Sequence, residues 1–161
     1  MILWYAGAAL AIVWNVFRDP AVDHRLVVAG ALLPDLVDLV LAGRPAYAHA
    51  LVAPVTVLVV VMVATRGRRV LRRRLLALPI GMFLHLVLDG TWTRSEGLWW
   101  PFLGTDFPAG SLWPPLGLAL ALEVAGAAAL VWFVRRFRLT EEGSRRTFLR
   151  SGRLVTPRGA S

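Results

Sequence analysis

The sequence predicts an all-α fold: a polytopic integral membrane bundle of about five transmembrane helices, with the N-terminus outside. Three observations carry that expectation. Residues of the hydrophobic set make up 57% of the 161-residue chain, more than a single small domain has core to hide. The apolar residues collect into five stretches, at residues 1–17, 26–42, 48–65, 75–91 and 112–134, each close to the ~20 residues that a spanning helix needs. The basic residues, eighteen Arg and no Lys, lie between those stretches and after the last one.

The first stretch reads as a span rather than a cleaved leader. It has no positively charged start, and Arg18-Asp19-Pro20 follows it in place of a small-residue cleavage site. Pro20 and Pro45 punctuate the connections after the first two stretches. The third runs into the Arg-rich segment 66–74. After the fourth, residues 94–111 carry Gly97, Pro101, Gly104, Pro108 and Gly110, the composition of a loop. The fifth is long enough to span with some tilt. The bundle is expected over residues 1–138 and a basic cytoplasmic tail over 139–161. Within that tail, residues 144–150 read as a short helix on anionic lipid or, more plainly, as part of a solvated tail.

Arginine placement sets the orientation. With the 66–74 segment and the tail in the cytoplasm, sixteen Arg lie inside and only Arg44 and Arg94 outside. Trp4, Tyr5, Tyr47, Trp92, Trp99, Trp100 and Trp113 then mark the outer interface, and Trp14 and Trp132 the inner one, as aromatic belts do. The net charge of +8 is assigned to anionic lipids at the cytoplasmic face of the bilayer, not to nucleic acid. The absence of Cys excludes disulfides, thiolate metal ligands and a Cys nucleophile.

Polar residues inside apolar stretches carry the functional signal. A charge at mid-membrane costs about 2.5–3.5 kcal/mol on insertion scales, so such groups face a bundle interior and have partners. Asp35 and Asp38 share one face of the second stretch at i, i+3, and His85 and Asp89 share one face of the fourth at i, i+4. At 1.5 Å per residue, Asp35 lies ~10 Å below the outer end of its stretch, Asp38 ~6 Å, His85 ~9 Å, Asp89 ~3 Å and His49 ~2 Å. Five oxygen and nitrogen donors thus fall in one outer layer. Glu123 is expected deeper, ~17 Å down, as a contact between helices, and His24 on the cytoplasmic side as a loop residue. Clustered carboxylates repel, and a divalent metal relieves that repulsion; mixed imidazole and carboxylate favour zinc or manganese. The plain alternative is that the acids pair with Arg44 and Arg94 and hold helices together.

These residues occur in motifs. Leu33-Pro34-Asp35-Leu36-Val37-Asp38, then His49, then His85-Leu86-Val87-Leu88-Asp89, then Trp100-Pro101-Phe102 resemble the bacterial membrane-bound metal-dependent hydrolases. This is the inner-membrane YdjM-like group, distantly similar to zinc-dependent phospholipase C. The resemblance covers residues 30–102 and implies a multi-pass protein of a bacterial inner membrane. The chain departs from that pattern in having no His in its first stretch, in Arg44 preceding His49 by five positions, and in Ala50 where the group has Ser. The expectation is therefore a membrane-embedded hydrolase of phosphate esters or other lipid-type amphiphiles, with Asp35, Asp38, His49, His85 and Asp89 around the metal. Asp38 or Asp89 would serve as base, and Arg94 or Arg44 would neutralise the substrate anion. The rival expectation is a non-catalytic bundle in which Asp, His and Glu relay an ion or join helices; a polar path through Glu123 to the cytoplasm would favour it.

Overall fold

The computed structural model describes residues 1–41, 46–93, 95–104 and 114–155, and among them all regular structure is helical. The elements are α1 (Ile2–Phe17), α2 (His24–Leu41), a 3-10 turn at Tyr47–His49, α3 (Val52–Ala64), α4 (Arg69–Leu75), α5 (Ala77–Leu88), a second 3-10 turn at Thr91–Thr93, α6 (Ser95–Leu98), α7 (Leu116–Arg136) and α8 (Glu142–Ser151).

Each apolar stretch is helical, but two are shorter than hydropathy suggests. The 3-10 turn at Tyr47–His49 delays α3 to Val52. Between α4 and α5 the helical ladder lacks one bond, because Pro79 has no N–H to return to the Leu75 carbonyl, while Leu76 itself stays in the α-helical region and bonds to Arg72 O (2.9 Å). The 13 residues of α3 and the 12 of α5 rise only ~20 and ~18 Å. Among the described residues one helix, the 21-residue α7, is long and apolar enough to cross a membrane; its most apolar 18-residue window has a mean hydropathy of 2.0, with 11% of that window buried. The apolar surface is correspondingly outward, with Leu36, Leu39 and Val40 on α2, Val59 and Val63 on α3, and Leu116, Leu120 and Val124 on α7 all more than half exposed.

The core is a small-residue seam. Met1, Tyr5, Ala9 and Val13 repeat at i, i+4 along α1 and pack with Val27 and Ala31 of α2 and Ala77 of α5. Two glycine contacts set the helix spacing. A Cβ on Gly30 would sit 2.1 Å from the Leu78 carbonyl oxygen, and one on Gly81 2.2 Å from that of Val27, so α2 and α5 meet backbone to backbone. Gly7 and Gly126 do the same for α1 and α7. The register of these contacts fixes direction. Gly7 lies against Gly126 and Trp14 against Phe137 (centroids 4.6 Å apart), so α1 and α7 run parallel. Gly30 lies against Leu78 and Ala31 bonds to His85, so α2 and α5 run parallel too.

The two ends of the bundle differ chemically. One holds Asp35, His49 and His85; the other gathers the Arg of α4, the end of α7 and α8. The tail is not merely solvated. Helix α8 forms, Leu154 N donates to Pro20 O (2.9 Å), and Leu154 is buried with Leu10, Phe133 and Phe137. His24, expected in a loop, is fully buried at the start of α2, where its N–H donates to Gly152 O (3.0 Å).

Candidate metal centre

Three helical segments bring three side chains to one point. Asp35 comes from the middle of α2, His49 from the 3-10 turn before α3, and His85 from the last turn of α5. His85 Nε2 lies 3.2 Å from His49 Nε2, His49 Nε2 lies 3.4 Å from Asp35 Oδ1, and His85 Nε2 lies 3.6 Å from the same oxygen. The point equidistant from these three atoms is about 2.0 Å from each, close to the ~2.0–2.1 Å of a zinc–imidazole bond. The triangle is nearly equilateral, with sides near the ~3.4 Å separation of two ligands on a tetrahedral zinc ion.

The hydrogen bonds behind the triangle decide where the protons are. His85 Nδ1 lies 2.7 Å from the Ala31 carbonyl oxygen, which can only accept, so Nδ1 carries the proton and Nε2 presents a lone pair. His49 Nδ1 lies 2.7 Å from Asp38 Oδ2. Asp38, fully buried, already accepts the N–H of Ala46 (2.6 Å) and of Ala48 (3.0 Å), so it accepts from His49 as well. When His49 is neutral its Nε2 is then also a lone pair, and two lone pairs and a carboxylate oxygen converge, an arrangement that repels unless something sits between them. One cation, or one added proton, relieves all three.

Asp38 therefore stands behind His49, orienting it, and does not face the triangle. Asp89 is also set apart, since its Oδ1 accepts the Tyr5 hydroxyl (3.1 Å) and its Oδ2 the Thr91 hydroxyl (2.6 Å). Among the described residues, those whose donor atoms lie mutually close enough to hold an ion are Asp35, His49 and His85. Glu123 is not beneath them. Because α7 begins at Leu116, its carboxylate reaches the start of α1, where Oε2 accepts the Leu3 N–H (2.9 Å). Arg44, Arg94 and Trp113 lie outside the described residues.

Tyr5 is the participant that sequence reading placed elsewhere, in the aromatic belt. It is fully buried, its ring 4.2 Å from that of His85 and its hydroxyl on Asp89. Its place in the Met1–Tyr5–Ala9–Val13 stripe, among small residues, is the signal that finds it. Trp100 stands edge-on to Tyr47 at 5.3 Å, beside the turn that carries His49. The triangle is enclosed on the imidazole side, with His85 0% and His49 5% exposed, and opens at Asp35, which is 27% exposed.

No family model, curated protein or solved structure matches the chain.

Proposed function

We propose that this chain is a membrane-embedded, metal-dependent hydrolase, a divergent relative of the YdjM-like group, acting on a phosphate ester or other amphiphilic lipid-type substrate at the outer face of a bacterial inner membrane. The observation that carries this reading is the Asp35–His49–His85 triangle with both Nδ1 protons committed elsewhere. Two His and one carboxylate with a vacant fourth position is the donor set of hydrolytic zinc sites, and the near-tetrahedral spacing favours zinc over manganese. A divalent ion held there supplies Lewis acidity, which polarises a phosphoryl or carbonyl oxygen and lowers the pKa of water.

The chain's own residues do the rest. Asp38 and the Ala31 carbonyl fix the imidazole tautomers and raise their basicity as ligands. Asp35 Oδ1, the oxygen nearest both imidazoles, would hold the ion and leave Oδ2 to accept a proton. Tyr5 covers one face of His85 and excludes water from it. The open edge at Asp35 adjoins Leu36 and Leu39, both more than half exposed, so a substrate approaches along an apolar wall. That suits an amphiphile.

Five spans are supported by helix direction. A chain that crosses five times requires its first and fifth helices to be parallel, and its second and fourth, as the glycine contacts arrange them. The rival relay reading loses its motivation, because Glu123 caps α1 at the site end and Val27, Ala9, Val13 and Ala77 fill the interior between that end and the basic one.

Elemental analysis of protein purified in detergent without chelator tests the proposal. About one equivalent of zinc is expected in the wild type and almost none in His85→Ala. Metal-free wild type that also fails to take up zinc on titration refutes it and leaves a shared proton as the occupant of the triangle.

A further inference from the structure

A second site lies at the opposite end. Ala21 of the connection after α1, Val70, Arg73 and Arg74 of α4, and Ser151 and Arg153 of the tail line a cavity of ≈ 250 Å³. Three guanidinium groups from two separate segments converge on it. Two of them are held in place by acids that use only part of their donor capacity. Arg74 Nε donates to Asp23 Oδ2 at 2.7 Å, which leaves both of its terminal nitrogens, and Arg73 donates to Asp19 through Nη2. Burial favours neutral Asp23, yet hydrogen bonds from Arg25 and Arg74 hold its carboxyl below the ordinary value, so it remains an anionic strut.

The third, Arg153, follows the last helix, where a chain ordinarily frays. Here it is stitched on both sides. Gly152 O accepts the His24 N–H (3.0 Å), and Leu154 N donates to Pro20 O (2.9 Å). Gly152 itself is in the left-handed region (φ 69°), and a Cβ there would meet Asp23, so only glycine allows this close return. The result is a fixed backbone that presents Arg153 at the cavity, with no acidic partner for its side chain among the described residues. With Arg25 also on Asp23, four guanidinium groups face two carboxylates, a surplus of positive charge with unused, forked N–H donors. That chemistry recognises the oxygens of a phosphate group.

We propose that this cavity binds the phosphate of an anionic phospholipid headgroup, clamping α4 and the tail to the membrane surface. Its position in the cytoplasmic leaflet rests on the orientation proposed above; its phosphate chemistry does not. The lipid is favoured over free phosphate because the exposed Val70 and Leu71 of α4 adjoin the arginines, an apolar rim beside a charged pocket.

The test is native mass spectrometry of the full chain in detergent, titrated with phosphatidic acid or phosphatidylcholine. One phosphatidic acid is expected to be retained at least ~10-fold more tightly than phosphatidylcholine. Arg153→Gln is expected to lower that retention ~5-fold or more, and Val70→Glu, an exposed position, to abolish the preference. An unchanged melting temperature in both variants shows that each is folded, a readout that holds whether or not the other end of the molecule binds zinc. Equal retention of both lipids, or wild-type retention in both variants, overturns the proposal. Displacement of phosphatidic acid by equimolar inorganic phosphate overturns the lipid as the source.

Discussion

His49 is bracketed by two carboxylates with different duties, and three residues of helix explain how. Asp35 and Asp38 differ by about 60° around α2, enough for one to reach Nε2 (3.4 Å) and the other Nδ1 (2.7 Å) of the same ring. Asp38 also gathers the Ala46 and Ala48 N–H groups, so it ties the turn that carries His49 to α2. In Asp38→Asn the amide keeps the volume but loses the charge that stabilises a metal-bound imidazole. Zinc affinity, read by chelator competition on the folded protein, is expected to fall about 10–100-fold, and the zinc-free protein to lose about 1–3 kcal/mol of stability because the new NH2 group faces an N–H donor on either side. Zinc affinity at the wild-type value would make Asp38 purely structural. The i, i+3 spacing made the two acids legible as partners in one place. It did not separate ligand from support, because an imidazole offers two nitrogens on opposite edges and spacing does not say which carboxylate meets which. Asp89 shares a face with His85 at i, i+4, and spacing likewise does not say that its carboxylate bonds to Tyr5 of α1 and to Thr91.

Helices, taken as elements, explain why the centre assembles at all. His85 reaches Asp35 only because α2 and α5 approach to backbone contact at Gly30 and Gly81, about one and a half turns or less from the donors. A methyl group on Gly30 has no room, with the Leu78 carbonyl oxygen 2.1 Å from its position and Gly81 Cα at 3.1 Å. Gly30→Ala is therefore expected to push α5 outward, cost about 1–3 kcal/mol of stability and lower zinc affinity at least 10-fold. Gly117→Ala on α7, with nothing within 4 Å, is the control and should change stability by less than ~0.5 kcal/mol. Thermal denaturation and zinc titration of both variants check this; intact zinc binding in Gly30→Ala would show that the helix contact does not position the centre. The existence of α1, α2, α3, α5 and α7 was legible from hydropathy, since long apolar runs without strand alternation leave a helix as the natural way to bond the backbone. Their lengths were not. Pro79 and the turn at Tyr47–His49 shorten α5 and α3 by local bonding that hydropathy does not register.

For the whole molecule, charge and helix direction make one prediction about orientation. The arginines gather at the end where α1 finishes and α4 begins, and the zinc-type triangle sits at the other. On the proposed membrane reading, anionic headgroups and the difficulty of translocating Arg would place the first end in the cytoplasm, and Asp35, His49 and His85 toward the outer face. The chain has no Cys, so a single introduced thiol reports its own side without background. Arg68→Cys lies in the exposed turn before α4, and Phe102→Cys replaces a side chain 80% exposed near the centre. In right-side-out spheroplasts, a membrane-impermeant maleimide is expected to label Phe102→Cys directly and Arg68→Cys only after lysis. Removing one of sixteen inner arginines is too small a change to invert the chain by itself. The reverse labelling pattern would turn the bundle over and place the triangle in the cytoplasm, where the substrate proposed for it is wrong. Labelling of both thiols before lysis would mean that the segment between them, α4 with α5, does not cross, as the ladder bond missing at Pro79 and the 12-residue length of α5 would then explain. Parallel packing of α1 with α7 and of α2 with α5 argues against this last outcome, because a chain that reverses at every connection brings those pairs together in the same direction.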